Sequence, residues 1–211
     1  MSSPHQNTPI IQAGQALSDA DAALILVHGR GATAQSILTL ADEFTGLDSF
    51  ALFAPQANMN TWYPNSFLAP MTSNQPGLDS ALEKLEGLVE EIEAAGIATN
   101  RILIGGFSQG ACLALEFTAR NAKRYGGVFA LSGGVIGPQG TPRDYAGSME
   151  GTPVFLGCSD IDFHIPVERV HESADVFDAL RASVNKQIYP GMGHTVNRDE
   201  IAHVQTIIDS L

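Results

Sequence analysis

Basic residues, cysteines and long apolar runs are all scarce in this 211-residue chain. Lys and Arg number 11 against 23 Asp and Glu, a formal net charge of −12. A field of that sign repels polyanions and excludes nucleic acid as an expected partner. It keeps a protein soluble as readily as it suits a salty milieu. Two cysteines, Cys112 and Cys158, cannot build a disulfide framework, and each lies in an apolar stretch where the thiol acts as a small buried hydrophobe. No run approaches the ~18 apolar residues of a membrane span, and the N-terminus lacks the basic-then-apolar pattern of a secretory signal. The expectation is a soluble cytoplasmic protein without a membrane span. No H-E-x-x-H or paired-cysteine spacing is present, so no metal and no cofactor is expected.

Hydrophobic residues make up 44% of the chain, enough for one sizeable core, and a single domain over 1–211 is the expectation. Short apolar runs alternate with longer segments of helical period, the pattern of a mostly parallel sheet with helices on both faces. Strands are expected at 8–12, 23–28, 50–54, 101–105, 127–131, 153–157 and 186–189. Leu78, Leu82, Leu85, Val89 and Ile92 recur every three or four residues opposite Glu83, Lys84, Glu86, Glu90 and Glu91, an amphipathic helix stopped near Gly96. Further helices fit 109–121, 167–182 and 198–211. The Gly- and Pro-rich stretch 133–151 reads as a surface loop, too short for a cap domain.

The stretch Gly105-Gly106-Phe107-Ser108-Gln109-Gly110 follows the apolar run Ile102-Leu103-Ile104. A serine at an abrupt strand-to-helix bend is forced into strained backbone angles, and only small residues two positions away let strand and helix approach. Such a serine is a weak nucleophile that needs a histidine base and a carboxylate downstream, in the order Ser, Asp, His. His194, in "YPGMGHT" at the end of a strand, is the expected base. His171 and His203 fall in helices, His5 in the tail, and His28 precedes the serine. The acid is Asp160 or Asp162 in "GCSDIDFHIP", and spacing does not choose between them.

"LILVHGRGAT" matches G-x-G-x-x-A from Gly29 to Ala34, a weak dinucleotide fingerprint. The second strand ends in Ala54 and Pro55, where a ribose-binding acid would be needed. The stronger reading is an oxyanion loop, with the backbone N–H groups of Arg30 and Gln109 facing one carbonyl oxygen. The stretch 57–77 has no clear period and leaves a strand on the catalytic side, so Trp62, Tyr63 and Phe67 are expected to line the acyl pocket.

"HGRG", "TWYP", "GGFSQGA", "LSGG", "DFHIP" and "GMGH" together resemble the phospholipase/carboxylesterase family of α/β-hydrolases, which includes acyl-protein thioesterases and small bacterial carboxylesterases. The resemblance spans nearly the whole chain and implies the α/β-hydrolase fold. The family's acid stands four residues before the proline of a D-x-x-V-P pattern, so Pro166 points to Asp162, with Ile165 in place of valine. The chain departs from the thioesterases at Tyr63-Pro64, where they tend to have Phe-Asp, and at Thr195, where serine is usual. The expected activity is serine-dependent hydrolysis of short-chain carboxylic esters or thioesters, with a small-molecule ester as the partner; a homodimer is left open. The rival readings are a dienelactone hydrolase-like enzyme, which usually carries cysteine at the elbow, lysophospholipase or acyl-protein thioesterase activity, and a catalytically dead binding module.

Overall fold

Residues 3–211 are described in a computed structural model. Seven strands form one sheet: β1 (Ile10–Gly14), β2 (Ala22–Val27), β3 (Phe50–Pro55), β4 (Ile102–Phe107), β5 (Gly127–Leu131), β6 (Pro153–Ser159) and β7 (Ser183–Tyr189). Their spatial order is β1-β3-β2-β4-β5-β6-β7, with β1 antiparallel to β3 and every other pair parallel. The helices are α1 (Ala34–Leu38), α2 (Gly77–Ala94), α3 (Gln109–Arg120), α4 (Val167–Ala179) and α5 (Arg198–Asp209).

Period-two alternation along wholly buried strands builds two cores at once. In β2, Ala23, Ile25 and Val27 pack with α2, α3 and α4, whereas Ala22, Leu24 and Leu26 pack with α1 and α5. In β4, Ile102 and Ile104 join the first core and Leu103 the second. Both faces of the central strands are thus apolar, which is why they read as continuous hydrophobic runs.

The edges deviate from the sequence expectation. β7 begins at Ser183, three residues before the expected start, because its polar Ser183 and Asn185 pair along β6 in an edge strand only half buried. β1 starts at Ile10 because Thr8 closes a turn, its N–H and hydroxyl both donating to the His5 carbonyl. α1 was not expected; Thr33 and Ser36 form a reciprocal capping box that starts it. The stretch between β5 and β6 holds no helix, but it is no plain surface loop: Val135, Ile136 and Met149 are fully buried.

Candidate active site

Ser108 sits at the junction of β4 and α3 with φ 56° and ψ −121°, a conformation that L-residues avoid and that a tight packing of the elements on either side enforces. That packing depends on two glycines. A Cβ at Gly106 would lie 2.3 Å from the Val27 carbonyl oxygen, and one at Gly110 would lie 2.0 Å from it. The bend holds the hydroxyl up at the carboxyl ends of the parallel strands, where the loops after β2, β3, β6 and β7 gather.

His194 and Asp162 meet Ser108 there. His194 Nε2 is 2.9 Å from Ser108 Oγ, and His194 Nδ1 is 2.7 Å from Asp162 Oδ2. The other carboxylate oxygen, Oδ1, accepts the backbone N–H groups of His164 at 2.8 Å and Ile165 at 3.1 Å. Burial of Asp162 opposes its ionisation, but the His194 ring and these two N–H donors outweigh burial and hold its carboxyl below the usual carboxylate range. A charged Asp162 fixes the ring with its proton on Nδ1 and leaves Nε2 free to accept from the serine. Asp160 has a different place. Its Oδ1 accepts the Gly191 N–H at 2.8 Å, so it braces the loop that carries His194 without touching the imidazole.

Among the described residues, neither the Arg30 nor the Gln109 backbone N–H has an acceptor. Gln109 N lies in the first turn of α3, where no intrahelical partner exists. The sequence points only to the backbone N–H groups of these two residues, yet both side chains fasten the neighbouring loop. Arg30 Nη2 donates to the carbonyls of Tyr63 at 2.8 Å and Asn65 at 2.6 Å, and Nη1 to that of Pro64 at 2.9 Å. Gln109 accepts the Trp62 N–H at 3.0 Å and donates to the Tyr63 carbonyl at 2.9 Å.

A cavity of about 700 Å³ opens beside Ser108, lined by Tyr63, Pro64, Asn65, Ser66 and Phe67 on one side and Phe107, His164 and Ile165 on another. Tyr63 and Phe67 line this cavity; Trp62 does not. Its side chain has no exposed surface; the indole N–H donates to the His28 carbonyl at 2.9 Å, and the ring packs between His5 and His28. His5 is likewise buried rather than in a free tail: one ring nitrogen accepts the Asn58 N–H and the other bonds the Trp62 carbonyl. Burial lowers the pKa of both His5 and His28, consistent with neutral rings wedged between backbone partners.

His164 was missed altogether. Its ring meets His194 edge-on with centroids 4.7 Å apart, and the exposed Phe163 ring packs on it at 4.3 Å. The available signal was its position two residues after Asp162 in "DFHIP". Among the described residues, no group of three His, Cys, Asp or Glu side chains converges as a metal site, and no helix is long and apolar enough to cross a membrane.

Glu200, at the start of α5, locks the far end of the histidine loop. Its Oε2 accepts the Asn197 N–H and its own N–H donates to the Asn197 side chain, both at 2.9 Å. Oε1 faces Gly157, where a Cβ would lie 2.3 Å from it, and has no partner among the described residues. Burial pushes the carboxyl up from 4.5 to about 7. A raised folded-state value favours the protonated acid, so this contribution to stability is full below about 4.5 and is lost as pH rises through about 7. Glu200→Gln should therefore gain on wild type by roughly 2 kcal/mol in unfolding free energy between about pH 5 and about pH 8. Urea melts at the two pH values measure it, and a pH-independent difference would contradict the assignment.

A mostly parallel sheet covered on both faces, with a serine at a strained elbow after a central strand, defines an α/β-hydrolase. The sequence pattern of the family described as Phospholipase/Carboxylesterase matches residues 7–211, and the chain belongs to that family. It is an ester-hydrolysing enzyme. The chain is similar to a phospholipase/carboxylesterase from Dyadobacter fermentans DSM 18053, whose crystal structure superposes with a TM-score of 0.92 at 46% identity, covering 96% of each chain. An acyl-protein thioesterase 1 from Debaryomyces hansenii is 27% identical over 98% of both chains. The carboxylesterase of Bacillus cereus shares the fold at 17% identity, with a TM-score of 0.75 over 97% of this chain and 95% of that one.

Proposed function

We propose that the protein is a serine carboxylesterase that hydrolyses short-chain esters through an acyl-enzyme. The observation that carries this reading is the continuous hydrogen-bonded chain Ser108–His194–Asp162, at 2.9 and 2.7 Å, beside an open cavity. Ser108 Oγ attacks the ester carbonyl while His194 Nε2 takes its proton; the oxyanion is met by the N–H groups of Arg30 and Gln109. His194 then returns the proton to the departing alkoxide as the carbonyl re-forms, leaving the acyl group on Ser108. Water repeats the sequence: its proton goes to His194, its oxygen to the acyl carbon, and Ser108 recovers its proton as the acid leaves. Asp162 stays ionised and steadies the imidazolium formed in each half.

Chain-length preference follows from the walls. Each buried methylene adds up to about 0.8 kcal/mol only while the groove continues. Tyr63 and Phe67 wall one side, and the 21 residues between Leu131 and Pro153 carry no helix that could serve as a lid. kcat/KM over a graded series of p-nitrophenyl esters should peak at about two to six acyl carbons, without a jump at the micelle threshold. The acyl-protein thioesterase relatives favour a second reading, acyl-protein thioester hydrolysis. Faster turnover of palmitoyl than butyryl esters or thioesters would replace the first reading with the second.

A further inference from the structure

The cavity beside Ser108 has a lining whose charge runs against that of the chain. Acidic residues outnumber basic ones by 23 to 11, yet none lines the cavity among the described residues, and Arg30 is its sole lysine or arginine. Asp162 is close by, but its carboxylate is fully buried behind the His194 ring. The Arg30 charge has no counter-ion: among the described residues it makes no ion pair, and its three acceptors are the neutral carbonyl oxygens of Tyr63, Pro64 and Asn65. Those bonds use three of the five guanidinium N–H donors and leave the Nε–H and one Nη1–H free. The planar head is thus held in one orientation, 5.9 Å from the Tyr63 ring centroid, with its charge uncompensated. Holding a loop requires donors but not a full positive charge, so the loop contacts alone do not account for an arginine in this place.

Resting on the esterase reading, we propose that the Arg30 guanidinium recognises a carboxylate on the acyl part of the substrate, so that half-esters of short dicarboxylic acids are preferred. The acyl side is favoured because Arg30 is bonded to the loop that carries Tyr63 and Phe67, the wall assigned to the acyl chain. One residue then meets both ends of the acyl group: its backbone N–H faces the scissile carbonyl oxygen and its side chain the distal carboxylate, which sets the two a few atoms apart. A charge-assisted, fork-shaped contact of this kind discriminates against a methyl group at the same position, because the methyl leaves the guanidinium unpaired.

The test follows acid release from monoethyl glutarate and from ethyl pentanoate, which differ by a carboxylate in place of a methyl. A second pair, 4-carboxyphenyl butyrate and phenyl butyrate, carries the charge on the alcohol side. Wild type should favour monoethyl glutarate over ethyl pentanoate by about tenfold or more in kcat/KM, as expected for a hydrogen bond between charged groups. Arg30→Gln should abolish or reverse that ratio. Arg30→Lys should keep the charge preference while losing rate on both esters, since an ammonium cannot span three carbonyls. A wild-type preference for ethyl pentanoate, an equal loss on both esters in Arg30→Gln, or a charge preference confined to the alcohol-side pair would overturn the proposal. If Arg30→Gln does not fold, inhibition of wild type decides: glutarate should compete against ethyl pentanoate about tenfold more strongly than glutaramide does, and equal inhibition would overturn the proposal. Turnover of ethyl pentanoate without charge preference leaves the esterase reading standing, whereas turnover of neither ester removes both.

Discussion

Ser108→Ala is expected to leave hydrolysis of p-nitrophenyl butyrate at or below about a thousandth of the wild-type kcat while the protein melts at nearly the same temperature. The hydroxyl supplies the covalent step and little else: its one side-chain partner is His194, and the residue is only partly buried. What holds the elbow is backbone packing against Gly106 and Gly110, which the substitution does not touch. Alanine must still adopt φ 56° at this position, so a small change in stability in either direction is compatible with the account. Residual activity above the stated level, measured on protein cleared of wild-type contamination, would move the nucleophile elsewhere.

Asp162→Asn should lower kcat by about 10⁴, an effect of the same order as loss of the nucleophile. The amide keeps an oxygen for the His164 and Ile165 N–H groups, so the loop can hold its course. Toward His194 Nδ1, however, it presents either a donor, which reverses the tautomer, or a neutral oxygen, which cannot steady the imidazolium. Asp160→Asn retains an oxygen for the Gly191 N–H and should cost about tenfold or less in kcat. Steady-state kinetics on the two variants, with matched circular dichroism, separate the cases; the reverse ranking would transfer the acid role to Asp160.

The elbow could be read from sequence because its requirement is local. A bend this tight demands glycine at positions 106 and 110 whatever the rest of the fold does, and a buried strand before it with a helix after it complete the pattern. The central strands were legible for a related reason: apolar on both faces, they leave no other segment type to weigh. β7 was cut short because an edge strand half in water needs no apolar run, so Ser183 and Asn185 read as loop.

The cavity was harder to see because its parts are joined across the chain. Arg30 reaches residues 33 to 35 positions away, and the Gln109 side chain bridges 46 or 47 positions to residues 62 and 63; neither partnership leaves a periodicity. Trp62 shows the limit most plainly. An aromatic residue on a loop near a catalytic edge can face the cavity or the core, and what sends this one inward is a pair of buried histidines, one of them from a segment that reads as tail. Asp160 and Asp162 lie two positions apart, and the turn after β6 sends one carboxylate to the Gly191 N–H and the other to the His194 ring.

The central claim, that an acyl group passes covalently through Ser108, is tested most directly by rapid acid quench of the enzyme during turnover of p-nitrophenyl butyrate, followed by peptide mass mapping. The account predicts a burst of nitrophenolate no larger than one per enzyme, and a butyryl adduct on Ser108 that is absent from Ser108→Ala. An adduct on another residue, or turnover by direct attack of water with no adduct under conditions where the burst is seen, would contradict it.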